Sequence, residues 1–230
     1  CPVPGLHSYR IVFVNGNFDA EASDLPVHSG VRCEPLSMSA AGLKTEGNLE
    51  SSEWFAALNG AFAVEGMKLQ VERGVILDRP LLVHHHTSGP NSANIMRHEI
   101  EVEENAQVQL IHWSTANEAA SGMVNIMTHI QVASGGIVAL DKVQDEAGAV
   151  HHLAFEQINQ ARSSQVRIHT GTIQGKWVRN DLNFRLNGEG CDAVLNGFFL
   201  PKGNEFVDNH TTVDHRAAHC TSSEQYQGIL

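Results

Sequence analysis

Several features are scarce in this chain, and each absence excludes something. No stretch approaches the ~18 consecutive apolar residues of a membrane-crossing helix. Basic residues are few: 15 Lys and Arg stand against 26 Asp and Glu, for a net charge of −11. That balance argues against a nucleic-acid or anionic-membrane surface, which needs clustered cations. Aromatic residues make up only 6%, so an aromatic-lined sugar groove is not expected. The four cysteines (Cys1, Cys33, Cys191 and Cys220) form no C-x-x-C pair, and in 230 residues they do not make a disulfide framework. A strand-linked G-x-G-x-x-G, a P-loop and G-x-S-x-G are all missing. No secretory signal is recognisable, which leaves the cytoplasm as the expected location.

What the chain does have is a period without repeated words. Val108-Gln109-Leu110, Val138-Ala139-Leu140, Val166-Arg167-Ile168 and Val194-Leu195-Asn196 start 30, 28 and 28 residues apart. A second set, near Val124, Leu153, Val178 and Val207, lies between them at spacings of 29, 25 and 29. Near-constant spacing with drifting residue types predicts a stacked β-solenoid, each turn burying itself against the next. Alternation supports strands: Val124, Ile126, Thr128, Ile130 and Val132 share a face, as do Val178, Leu182, Phe184 and Leu186. Gly135-Gly136, Asn187-Gly188, Asn196-Gly197 and Gly203-Asn204 read as turns between runs.

The first quarter differs. Residues 9–14 are strand-like and run into the tight-turn pair Asn15-Gly16. A second short strand is expected near Val31. Residues 51–65 read as a helix, with Ser51 or Ser52 as N-cap and Trp54, Leu58 and Phe62 along one face. Residues 1–66 are therefore expected to lead into a solenoid core over 67–230. The chain starts at Cys1 and stops at Leu230 in mid-turn, so a piece of a longer protein is expected.

Candidate chemistry is concentrated in three clusters. His84 and His86 project from one strand face, with His85 opposite. Joined by Glu99, Glu101 and His112, they could serve a metal-dependent or carbohydrate-active β-helix or cupin-like enzyme, the alternative reading; the cupin glycine spacing is absent, and a polar strand end is the favoured one. His151-His152 reads as a surface pair. Asp208, His210, Thr212 and Asp214 share a face, with His215, His219 and Cys220 following; these residues suit a metal site or a hydrogen-bonded ladder. Of this group His210, His215 and Cys220 are the metal-ligating candidates. Cys191, beside no activating group, reads as structural.

The later runs resemble the SufB/SufD family. The resemblance rests on Arg179-x-Asp181-Leu182-x-Phe184-x-Leu186-x-Gly188, on Asp208-x-His210-Thr211-x-Val213-x-His215, and on Ser222-x-x-x-Tyr226-x-Gly228-Ile229-Leu230. Upstream, Val71-Glu72-Arg73-Gly74-Val75, Arg79-Pro80-Leu81 and residues 98–106 resemble the family's entry into its solenoid. Within the family the likeness is to the SufD branch. Where SufB-like chains carry a cysteine after the strand at 107–113, this chain reads Ser114-Thr115-Ala116.

The resemblance implies a right-handed parallel β-helix, so the expected fold is all-β with the one short helix near residues 51–65 read above. It implies a non-catalytic scaffold of a SufBCD-type complex for iron–sulfur cluster assembly. The implied partners are a SufB-like subunit and a SufC-like ATPase, each contacted mainly through segments outside this chain. The cluster would be handled by the whole complex, with no cofactor bound by this part. Self-association through an open β-helix end is a further expectation.

Overall fold

The computed structural model describes residues 5–37 and 54–229. Strand β1 (Tyr9–Val14) turns through Asn15 and Gly16, at φ 50° and 78°, into β2 (Asn17–Phe18). The expected tight turn is here the loop of a two-residue hairpin, because both loop residues sit in the left-handed region that Asn and Gly tolerate. β3 (Val31–Ser37) follows, then helix α1 (Trp54–Phe62). From there the chain is strand after strand: β4 (Glu65–Val71), β5 (Leu81–Thr87), β6 (Ser92–Val102), β7 (Gln107–Ala116), β8 (Ser121–Val132) and β9 (Ile137–Glu146). β10 (Ala149–Gln160), β11 (Gln165–Gln174), β12 (Trp177–Leu186), β13 (Asp192–Phe199), β14 (Phe206–His215) and β15 (Thr221–Gly228) complete it.

Odd strands from β5 onward stack in parallel in one sheet, and even strands from β4 onward in a second. Each turn of chain contributes one strand to each, so the molecule is a parallel β-solenoid. The register differs from the expected one at two places. Val108, Val138 and Val166 do form an inward column, but its fourth member is Ala193, not Val194. In the second sheet Val124 aligns with His152, not Leu153. A one-residue slip reverses every side chain. The larger apolar neighbour was the better match by composition, whereas the backbone ladder puts Ala193 and His152 inside. Leu153 faces outward and is nonetheless buried.

The corner leading from each even strand to the next odd one has a constant geometry. Gly74, Asn105, Gly135, Ser163, Gly190 and His219 all lie at φ between 55° and 72°. Each is followed by an inward corner residue: Val75, Ala106, Gly136, Ser164, Cys191 and Cys220. Successive corners hydrogen-bond to one another, from Gly74 N to Glu104 O, Asn105 N to Ser134 O, Gly135 N to Arg162 O, Ser163 N to Glu189 O and Gly190 N to Ala218 O. The opposite corners vary in length, from two residues (147–148) to six (200–205), which explains the irregular spacing of the second set of runs.

Beside the constant corner the interior is apolar. Leu110, Leu140, Ile168 and Leu195 stack in one sheet, facing Ile100, Ile130, Ile158 and Phe184 in the other. Beside the variable corner it is polar. Phe13, fully buried on β1, lies over this polar half and stacks on His85 at 5.8 Å between ring centroids.

Helix α1 lies on the outer face of the even-strand sheet, against β6 and β8. Its proposed caps, Ser51 and Ser52, fall outside the described residues. The stripe Trp54–Leu58–Phe62 does not face the sheet: Trp54 is 80% and Phe62 61% exposed. Ala56, Asn59 and Ala63 are buried instead. Asn59 Nδ2 donates to the Met96 carbonyl at 2.8 Å and to Asn125 Oδ1 at 3.0 Å, and Asn125 Nδ2 donates to the Phe55 carbonyl. Small side chains and one amide let the helix sit close to the strands, so hydrogen bonding rather than apolarity chooses its buried face.

Candidate functional site

The alternation expected for the His84–His86 run holds. His84 and His86 lie on the outer face of β5, where both rings meet the same hydroxyl: His84 Nε2 and His86 Nδ1 are each 2.9 Å from Thr115 Oγ1. His84 also stacks on Trp113, with centroids 4.6 Å apart. Burial holds the His84 ring down to about 4, so it is neutral at neutral pH. The remaining cupin-like candidates do not join them. Glu99 is on the outer face of the other sheet, where it accepts from Arg97 Nε at 2.9 Å, and Glu101 shares that face. His112 is inside the solenoid.

The interior holds the densest chemistry. His85, His98 and His112 are buried, with His85 Nε2 and His98 Nε2 2.9 Å apart and the His112 ring edge-on to both. Burial pushes all three rings below their ordinary value, His98 to about 3. One neutral imidazole therefore donates to the other in the close pair.

One turn further along, Lys142 Nζ meets Glu156 Oε1 at 2.6 Å, both side chains at most 4% exposed. Lys142 also donates to Asn180 Oδ1 at 3.1 Å. Gln144 Nε2 donates to the same oxygen, and Thr172 Oγ1 to Gln144 Oε1. His152 and Glu146 pair at 2.8 Å, equally buried. The expected surface pair is thus split: His151 is exposed and His152 is a buried hydrogen-bond partner of Glu146. This network ties the two sheets together across the polar half of the interior.

Sequence reasoning missed it, although a signal was present. His112, Lys142 and Thr170 recur at spacings of 30 and 28 on inward positions, and Thr128 and Glu156 at 28. Polar residues at solenoid spacing on the core face mark an internal polar column.

At the far end the C-terminal candidates diverge. His210 is on the outer face of β14, its Nε2 2.8 Å from Asp208 Oδ1. Arg179 bridges Asp208 and Asp181 beside it. His215 is on the inward face, with Nε2 3.0 Å from Ser222 Oγ. Cys220 is at the constant corner, with Sγ 3.2 Å from the Gly188 carbonyl oxygen. Among the described residues no group of three or more His, Cys, Asp or Glu is arranged to hold a metal ion. No described helix is long and apolar enough to cross a membrane.

Fold and interior define a parallel β-solenoid with a buried, charge-bearing core. Residues 85–230 match the family model described as "SUF system FeS cluster assembly, SufBD core domain". The chain belongs to this family. It is 26% identical over 230 residues to iron-sulfur cluster assembly protein SufD of Escherichia coli (strain K12), covering 98% of this chain and 53% of that protein. It is 24% identical to an iron-sulfur cluster assembly SufBD family protein of Synechocystis sp., covering 99% of this chain and 54% of that one. With SufB of Bacillus subtilis (strain 168) it shares 25% identity over 174 residues, 74% of this chain and 37% of that one. The chain thus spans about half the length of the first two relatives.

Proposed function

We propose that this chain is the β-helical core of a SufD-type scaffold subunit, working in a cytoplasmic SufBCD-type complex that assembles iron–sulfur clusters. The observation that carries the reading is the likeness to SufD along nearly the whole chain, over a solenoid whose interior is filled rather than open. Its role is positional and non-catalytic. A framework tied turn to turn by the constant corner, and sheet to sheet by the Lys142–Glu156 network, transmits force without deforming. The partners are a SufB-like subunit and a SufC-like ATPase. His210, His215 and Cys220, on the last described turn, are the residues proposed to lie nearest the assembling cluster. Placement of cysteine agrees with the SufD branch, since Ser114 to Ala116 offers no thiol.

The test is co-purification of the tagged full-length protein with SufB-like and SufC-like subunits, followed by cluster reconstitution on the complex. A stable three-component complex is expected, with cluster formation reduced when His215 or Cys220 is replaced by alanine. Recovery of the protein without either partner would refute the reading.

A further inference from the structure

The inward corner column carries sulfur at two consecutive places. Cys191 and Cys220 occupy the same position in adjacent turns, fixed by the pairing of Asp192 with Thr221 and by the hydrogen bond from Thr221 N to the Cys191 carbonyl at 2.9 Å. Neighbouring strands run ~4.8 Å apart. That spacing falls inside the Cα separation of about 4.4 to 6.8 Å that a disulfide spans. Both sulfurs lie against one acceptor: the Gly188 carbonyl oxygen is 3.0 Å from Cys191 Sγ and 3.2 Å from Cys220 Sγ. Each sulfur is free. The two differ in access, Cys191 being 1% exposed and Cys220 partly exposed. Burial pushes the Cys191 thiol up, and the neighbouring Cys220 adds to the shift.

We infer that Cys191 and Cys220 form a reversible disulfide that staples β15 to β13, with Cys220 as the entry thiol and Cys191 as the resolving thiol. The oxidant class is a small-molecule disulfide such as oxidised glutathione. The Cys220 thiolate attacks one sulfur of that disulfide, forming a mixed disulfide and releasing one glutathione thiolate. Cys191 loses its proton and attacks the Cys220 sulfur, expelling the second glutathione thiolate. The two protein thiols together lose two electrons, the oxidant gains them, and the two released protons end on the two glutathiones. The only rearrangement needed is at the corner, where the sulfurs turn from the Gly188 oxygen toward each other. The pairing follows from the register and is independent of the role proposed above.

The test is peptide mapping of the folded full-length protein after treatment with oxidised glutathione and alkylation. A Cys191–Cys220 linked peptide is expected, lost on treatment with dithiothreitol. In Cys191→Ser, Cys220 is expected to end as a glutathione adduct. In Cys220→Ser, Cys191 is expected to stay reduced, because no entry thiol reaches the oxidant. Circular dichroism of each variant establishes that the fold is intact. A lasting glutathione adduct on Cys220 with Cys191 present, alkylation of both thiols after treatment, or direct glutathione capture by Cys191 in Cys220→Ser would each overturn the assignment. As a second readout, the oxidised protein should unfold at a higher urea concentration than the reduced one, with the difference vanishing in Cys191→Ser.

Discussion

At the scale of single residues, the buried ion pair sets the sharpest expectation. Lys142 and Glu156 are out of water, and each is compensated by the other. Removing one partner strands a charge in the core, which costs about 3–5 kcal/mol; replacing both by apolar residues of similar volume is often close to neutral. Lys142→Met and Glu156→Leu should therefore each destabilise the protein strongly, while the double variant recovers most of the loss. Urea denaturation of the three variants checks this, and additive losses would show that the pair is not coupled. The histidines make a pH prediction. In the folded state burial lowers the values of His85, His98 and His112 below 6.5, so below that pH the unfolded chain binds more protons than the folded one. Stability is then complete above pH 6.5 and falls with pH, by about 1.4 kcal/mol per pH unit for each histidine. For His98 the fall continues to about pH 3. The urea midpoint should drop between pH 6.5 and 5 and drop less in His98→Gln; a flat profile would contradict the buried neutral cluster.

At the scale of elements, the corners and the helix each rest on a local device. The left-handed corner residue recurs as Gly, Asn, Gly, Ser, Gly and His. For residues other than Gly this conformation costs roughly 1–2 kcal/mol. Ser163→Gly should thus raise stability slightly, and Gly190→Val should lower it by about that amount or more, both read from thermal unfolding. Helix α1 hangs on Asn59, whose amide bonds β6 and β8. Asn59→Ala leaves those acceptors without a partner and should cost about 1–3 kcal/mol locally. Hydrogen exchange should quicken in residues 54–62 while the solenoid strands keep their protection; unchanged exchange there would place the anchor elsewhere. The tight turn at Asn15-Gly16 was legible beforehand because turn chemistry is local. The buried face of the helix was not, because the most apolar stripe, Trp54–Leu58–Phe62, is not the one that fits closely against strands.

At the scale of the whole molecule, the stack is one continuous unit in which each turn contacts its neighbours. A lesion in the middle, such as Glu156→Ala, should weaken both sheets at once and, under the proposed function, impair assembly with the proposed partners even though it lies far from the last turns. Co-purification of this variant with the proposed SufB-like and SufC-like subunits measures that effect, and undiminished recovery of the proposed complex would separate rigidity from function. The near-28-residue spacing and the alternation were enough to define a stacked β framework, because periodicity is a property of the chain itself. The family was legible in the same way, from short motifs spread over most of the sequence. Which side of each strand faces inward was decided only by the tertiary structure. Side chains alternate with a period of two, so the alignment of one turn on the next settles every face at once, and that alignment comes from backbone hydrogen bonds between residues nearly thirty positions apart. Those bonds put His152 rather than Leu153 in the core, gathered His85, His98, Lys142 and Glu156 into a closed polar interior, and brought Cys191 beside Cys220.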